Sequence, residues 1–280
     1  MMATDLLNSP PVKRPKEYPF HIGTRLVNHR DADGKIIGYE YVPLTEEDYL
    51  HPQEEDRFLS TDRHAVSLQY LNDALAIRLQ DLPRMRAFCE HRMDWQIDGI
   101  EPHGPDVVVF DHFDIDYDDM LGTMRVKEVG ADVVAVFEVT SESTRHIDFG
   151  DKFDEFLEVG IPYFIVIDAA APNGVPIVMG FRWVKGIYRE LRQDPKLGVL
   201  VPPLSLWFRW ERDRLVIADE DGKDIPSVVE VVSALEAEKA NVIAEKARTE
   251  AEKAKAEAEK ARADALALEV TELKAKLAGN

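Results

Sequence analysis

Asp132-Val133-Val134-Ala135-Val136-Phe137-Glu138-Val139-Thr140 decides how this chain is read. The run is apolar almost throughout and shows no polar alternation, so it predicts a central strand buried on both faces. Working outward, Ser141-Glu142-Ser143-Thr144-Arg145 leads into a helix expected from about Ile147 to Val159. Its apolar positions Phe149, Phe153, Phe156 and Leu157 face one side, and Gly160 supplies the C-cap. Tyr163 to Ile167 reads as the next buried strand. Upstream, Gly104-Pro105-Asp106 opens the apolar run Val107 to Phe110. Alternating helix and buried strand gives an α/β class with a central sheet flanked by helices.

Each of two strands carries a lone carboxylate at one end: Asp106 opens one and Glu138 nearly closes the other. Two carboxylates on neighbouring strands can share a divalent cation, whose bound water becomes the attacking hydroxide on a phosphodiester. Lys152, in the following helix, is positioned to orient that water or to offset charge on the phosphate. Asp148 and Arg145 add polar groups on the same connection, and Arg145 has the donor fork to clamp a phosphate. Each residue has a structural alternative. The carboxylates can be solvent-facing strand ends, Lys152 a surface charge, and Arg145 a partner of Asp148 or Asp151. Ser141, Ser143 and Thr144 read as helix caps, since no nucleophile-elbow motif surrounds them. His64 either points at the metal site or packs as a surface or interhelical histidine. His103 and His112 flank the Asp106 strand without zinc-ligand spacing. No Walker sequence and no Gly-x-Gly-x-x-Gly is present, which excludes nucleotide-driven motor or kinase chemistry.

The rest of the chain divides by composition. Residues 1–17 read as a disordered leader, with Lys13-Arg14-Pro15-Lys16 as a small basic cluster. Ile22–Asn28 and Ile36–Val42 predict a hairpin about Asp31-Ala32-Asp33-Gly34. Thr45 with Asp48 predicts a capped short helix. Thr61 caps the next, whose Leu68, Leu71, Leu75 and Leu79 share a face. Met93–Ile97 is a further expected strand, residues 111–130 an irregular acidic connection, and Pro176–Val184 with Ile187–Gln193 a second hairpin. The domain is expected over 18–232. A coiled-coil-like tail follows over 233–280, where alanine or leucine recurs three or four residues apart from Ala237 to Leu268. Five acid-to-base pairs at i, i+3, from Glu245–Arg248 to Glu259–Arg262, support that helix. An alanine seam buries little per residue, so self-association into a homodimer is expected to be weak, and firmest at Leu266, Val270, Leu273 and Leu277.

The net charge is −19, and the tail from Leu235 carries nine Lys/Arg against ten Asp/Glu, so almost all of the excess lies in the domain. Such a field opposes non-specific binding of a polyanion, and it attracts divalent cations. It tolerates a small phosphodiester better than duplex DNA, and RNA or such a small phosphodiester is an alternative substrate. One cysteine, Cys89, excludes a disulfide framework and a Cys-rich zinc site, and fits a cytoplasmic location. Met1 to Phe20 has no apolar core of the signal-peptide kind. The longest apolar candidate, Ile161 to Phe181, is broken by Asp168, Pro172, Asn173 and Pro176, so no membrane span is expected.

The order Pro105-Asp106, Glu138-Val139, Ser141-x-Ser143-Thr144-Arg145, Asp148, Lys152, Gly160-Ile161-Pro162-Tyr163 and Ile167-Asp168 resembles one family closely. It is the putative restriction endonuclease family abundant in cyanobacterial genomes, a branch of the PD-(D/E)xK nuclease superfamily. The resemblance covers roughly residues 40–195, and a helical tail of this composition is usual there. It implies a restriction-endonuclease-like core with a mixed central sheet, and DNA as substrate. It implies Mg²⁺, or Mn²⁺, held by Asp106, Glu138 and the Val139 backbone carbonyl. The superfamily lysine two residues after the glutamate is here Thr140; Lys152 is expected to supply it from the following helix. His64 matches a histidine frequent in the family. The expected activity is metal-dependent endonuclease; the alternative is a catalytically degenerate nuclease fold that acts as a binding or assembly module through its tail.

Overall fold

A computed structural model describes residues 22–53, 55–58, 60–113, 122–141, 144–169 and 177–278. The expected leader at 1–17, Ser143, and much of the acidic connection lie outside these. The chain divides into two units, Met1–Ile225 and Pro226–Asn280.

The first unit begins with β1 (Gly23–Arg30) and β2 (Ile36–Pro43), the expected hairpin, joined by β3 (Asp56–Phe58) in a small antiparallel sheet of order β2-β1-β3. Between them, α1 (Glu46–Leu50) starts on a complete capping box: Thr45 accepts from the Asp48 N–H, and Asp48 accepts from the Thr45 N–H. Arg25 ties this layer together, reaching Asp48 at 2.6 Å and Asp56 at 2.5 Å. α2 (Asp62–Leu79) follows, capped by Thr61 and buried along Leu68, Leu71 and Leu75 as the spacing predicts.

The central sheet has six strands in the order β11-β10-β9-β8-β6-β4. These are β4 (Arg86–Cys89), β6 (Val107–Asp111), β8 (Asp132–Thr140), β9 (Tyr163–Asp168), β10 (Ile177–Val184) and β11 (Ile187–Glu190). β8 and β9 run parallel and the other pairs antiparallel, so the sheet is mixed. The parallel pair needs a crossover, which α4 (Arg145–Asp148) and α5 (Asp151–Val159) provide. The sequence predicts one helix here. It is divided at Gly150, where a Cβ would stand 2.7 Å from the His146 carbonyl oxygen, so the chain turns only because that position is glycine. α5 ends on Gly160 at φ 82°, the expected left-handed cap.

Four stretches depart from expectation. β5 (Arg92–Asp94) is shorter than the strand predicted over Met93–Ile97, and pairs with β7 (Thr123–Arg125) in a separate two-stranded sheet. The strand beside β6 is β4, whose Arg-Ala-Phe-Cys sequence carries no apolar run to announce it. The 111–130 connection contains β7 and the single turn α3 (Val126–Val129). After β11 the sequence analysis assigns nothing before the tail. There the chain forms an antiparallel sheet of β12 (Gln193–Asp194), β13 (Gly198–Val201), β14 (Leu206–Glu211) and β15 (Arg214–Ala218).

That second sheet and α2 cover one face of the central sheet. Leu71, Leu75, Val109, Phe137, Ile165, Phe208 and Ile217 pack there as one cluster. Phe137 meets Phe208 at 5.3 Å between ring centroids. Truncating such a buried Phe to Ala costs about 3–5 kcal/mol. α5 covers the other face, where its Phe156 packs in one cluster with Phe110, Val136, Phe164, Val166 and Phe181.

The second unit is α6 (Val228–Ala278), which starts ahead of the expected residue 233 because Ser227 and Glu230 form a capping box there. Along it Arg248 pairs with Glu252 at 3.4 Å, an exposed contact worth a few tenths of a kcal/mol. Among the described residues, no helix is long and apolar enough to cross a membrane.

Candidate active site

Side-chain parity on β8 builds the site. Phe137 and Val139 point to the α2 face, so Glu138 points with Val136 to the α5 face. Lys152 lies one turn before Phe156 on the buried stripe of α5, and its side chain therefore reaches onto the same face. Lys152 Nζ donates to both Glu138 carboxylate oxygens at 3.1 Å. It also stands 3.7 Å from Asp148 Oδ1, one helical turn earlier. Glu138, Asp148 and Lys152 are all fully buried.

Asp106 arrives from the strand next door. It sits just before β6, whose Val107 pairs with Phe137 of β8. Its Oδ2 accepts the Val139 N–H at 2.6 Å, which locks the carboxylate against the backbone just past Glu138. His64, in the first turn of α2, brings Nε2 to 3.4 Å from the same oxygen, while Nδ1 faces Ser60 Oγ at 2.8 Å. Asp106, Glu138, Asp148, Lys152 and His64 are thus brought together.

Charge and burial compete here. Burial drives the Glu138 carboxyl up; the Lys152 ammonium opposes this, and Asp106 and Asp148 reinforce it, leaving it well above the carboxylate range. Asp148 is raised to about 6, by burial first, against Lys152 and with the Asp106 charge. For Lys152 burial disfavours the ammonium, but the charges of Glu138, Asp148 and Asp106 outweigh it, so its pKa is raised. These neighbouring carboxylates favour Lys152 as a cation. For His64, burial also disfavours charge, and the hydrogen bond and charge of Asp106 more than offset it, raising its pKa. Asp148 Oδ2 is buried without a hydrogen-bond partner.

Tyr49 of α1 closes the group, and sequence reasoning missed it. Its ring lies 4.4 Å from Lys152 Nζ, and its hydroxyl 3.4 Å from Asp148 Oδ1. Burial, then the charges of Asp148, Asp106 and Glu138, push the phenol far above its ordinary pKa, so it remains protonated. A Tyr in a five-residue helix, almost a hundred positions from Asp148, carries no local signal of that role.

Arg145 is engaged elsewhere. Its Nε donates to the fully buried Asp168 Oδ2 at 2.9 Å, and its guanidinium stacks 4.8 Å from the Phe149 ring centroid. Thr140 Oγ1 donates to the other Asp168 oxygen at 2.9 Å. The acid partners read for Arg145 from sequence, Asp148 or Asp151, give way to Asp168, because β9 ends there on a buried carboxylate; contact of Arg145 with a phosphate stays a proposal. Thr144 occupies the N-cap of α4, but its hydroxyl takes the Ser141 N–H at 3.1 Å instead of capping.

The donor set fits a hard cation. Asp106 and Glu138 offer carboxylate oxygens in close reach of one backbone segment, and Asp148 keeps an unpartnered buried oxygen behind them. A second cluster, His51, His103 and Glu155, also gathers three ligand-type side chains. Its hydrogen bonding argues against a metal. Trp95 Nε1–H donates to His103 Nδ1 at 2.6 Å, and an indole nitrogen can only donate. His103 therefore carries its proton on Nε2, the atom paired with Glu155, and has no lone pair to offer there. The cluster instead ties α5 to the segment holding β5.

A family model described as Uma2, putative restriction endonuclease, matches residues 59–211, and the chain belongs to that family. Among solved structures, it is similar to a crystal structure of a putative nuclease belonging to DUF820 from Anabaena variabilis. The two share 16% identity over 56% of this chain and 81% of that one, with a TM-score of 0.42. No curated protein matches. The fold is mixed α/β with a six-stranded central sheet, and the chain is a member of a nuclease family.

Proposed function

We propose that this protein is a metal-dependent endonuclease that hydrolyses DNA phosphodiester bonds. The observation that supports this reading best is the convergence of Asp106, Glu138 and Lys152 from two strands and a helix, with Lys152 on both Glu138 oxygens. Asp106, Glu138 and the Val139 carbonyl would hold Mg²⁺, or Mn²⁺ in its place. When bound, such an ion supplies a water of lowered pKa and a Lewis acid for the phosphate oxygen. Lys152, held as an ammonium, stabilises negative charge developing on the phosphate. Asp148, 3.7 Å away, helps to keep that ammonium in place. His64 faces Asp106 at 3.4 Å and offers a donor at the edge of the site. DNA is the substrate favoured by family membership; the acidic domain keeps RNA or a small phosphodiester open as a comparison. The protein works in the cytoplasm, and its tail pairs weakly with a second copy.

The test is plasmid nicking in Mg²⁺ and then Mn²⁺ beside a Glu138→Ala control. Metal-dependent cleavage that the control lacks supports the assignment. Cleavage that survives Glu138→Ala moves the site elsewhere. One observation favours a second reading, a degenerate fold serving as an assembly module: both Glu138 oxygens are buried and occupied by Lys152. Calorimetry that detects no Mg²⁺ or Mn²⁺ binding at millimolar metal would favour it.

A further inference from the structure

We infer that Tyr49 is a positioning residue for Lys152: its ring holds the ammonium on Glu138 and shields the pair from water. The inference rests on the nuclease reading of the site. Three observations carry it. First, the ring lies 4.4 Å from Nζ, on an ammonium that already faces both Glu138 oxygens at 3.1 Å. A cation beside an aromatic face is attracted by the ring quadrupole, and more so where water is excluded. Second, the ring is itself fixed. Phe58 packs edge-on against it at 5.5 Å, and the short helix bearing it is held by the Thr45–Asp48 capping box and by Arg25. A five-residue helix has no stability of its own. The Arg25, Asp48 and Asp56 network gives Tyr49 its place, with Leu44 and Leu50 buried on either side. Third, Tyr49 comes from the layer before residue 59, outside the span matched by the family model. Asp106, Glu138 and Lys152 lie within that span, and Tyr49 reaches Lys152 from the segment ahead of it.

Ring and hydroxyl are not equal partners. The hydroxyl reaches Asp148 at 3.4 Å, the outer limit of a hydrogen bond, whereas the ring sits well within cation–π range. Tyr49→Phe should therefore keep cleavage close to wild type, and Tyr49→Leu should lose about tenfold in kcat with the plasmid KM unchanged. Restoration of function by Phe but not by Leu is the signature of the ring, which a purely structural role would not give.

A second readout needs no activity. In the metal-free full-length protein, NMR of lysine labelled at the ε-methylene should show the Lys152 resonance displaced upfield by the ring, assigned by its absence in Lys152→Arg. Tyr49→Phe should retain the displacement and Tyr49→Leu abolish it. An unchanged Lys152 resonance in Tyr49→Leu, or a Leu variant that cuts like wild type, overturns the inference while leaving the nuclease reading intact. A wild-type protein that cuts nothing in either metal overturns the nuclease reading itself, and with it any part for Tyr49 in that reaction.

Discussion

Removing Lys152 tests the electrostatic account of the site most directly. In Lys152→Ala, Glu138 and Asp148 stay fully buried and lose the cation 3.1 and 3.7 Å away. Deleting one partner of a buried ion pair costs about 3–5 kcal/mol. The orphaned carboxyl can escape by taking a proton. At about pH 7.5 that costs roughly 1.4 kcal/mol for each unit above its unfolded pKa of about 4.3, or about 4 kcal/mol. The two figures agree, so protonation sets the ceiling. The sign follows from linkage. The variant's folded carboxyl has a raised pKa, so its stability is whole below the unfolded pKa and is lost as pH rises. Glu138 and Asp148 are already raised in wild type, so the deficit of the variant should grow as pH rises from about 5 to about 7.5 and stay within about 3–5 kcal/mol. For a unit of this size each kcal/mol moves Tm by about 2–4 °C, so the gap should widen with pH toward roughly 10 °C. Thermal melts by circular dichroism in EDTA measure it. A gap that stays constant across this pH range, or that is absent, refutes the claim that Lys152 compensates buried carboxylates. The double variant Glu138→Gln with Lys152→Met removes both charges together and should recover most of the loss.

Asp148→Asn should flatten the stability profile, because the Asp148 carboxyl is raised to about 6. The stability it contributes is full below about pH 4 and lost as pH rises through about 6, worth at most about 3 kcal/mol. Superimposable wild-type and variant Tm profiles would remove the basis for this. Arg145→Ala takes from the buried Asp168 the cation 2.9 Å away, and should cost about 3 kcal/mol and lower Tm while leaving the plasmid KM unchanged. An unchanged Tm with a raised KM would return Arg145 to phosphate binding. In the tail, Leu266→Glu with Leu273→Glu should convert a weak dimer to monomer in light scattering, since both leucines are exposed on the helix; a wild-type protein that is monomeric at the highest concentration reached argues against tail pairing.

What was legible in the sequence was whatever a short window could hold. The β8 run, the Gly160 cap, the Thr45 and Thr61 caps and the leucine stripe of α2 each depend on neighbours within a few residues, and each is found where its pattern predicts. The grouping of Asp106, Glu138 and Lys152 was legible too, because parity on a buried strand and on an amphipathic helix fixes where side chains point. The four-stranded sheet of β12–β15 was not. Its strands are two to six residues long, and the pattern of Val199, Val201, Leu206, Phe208, Leu215 and Ile217 gains its meaning only against the face of the central sheet. Arg145 illustrates the same limit. Its neighbours in sequence, Asp148 and Asp151, were the natural partners to propose, yet the parallel register that sets Thr140 against Asp168 brings a more deeply buried acid to it.

The site sets a local balance of charge against the composition of the domain. A domain carrying nearly all of a −19 charge reads as hostile to a polyanion. Yet the charge that acts on a reacting phosphate is the local one, and there the acids are the expensive element. Glu138 and Asp148 are both pushed up by burial, and they remain tolerable only because Lys152 is held as a cation between them. A divalent cation would relieve the same crowding, which makes metal binding and the stability of this site two readings of one imbalance. That coupling gives an expectation independent of cleavage: added Mg²⁺ should raise Tm in wild type and raise it less once Glu138 is alanine. Equal shifts in the two proteins would mean that the metal binds to the acidic surface and not to the pair at the end of β8.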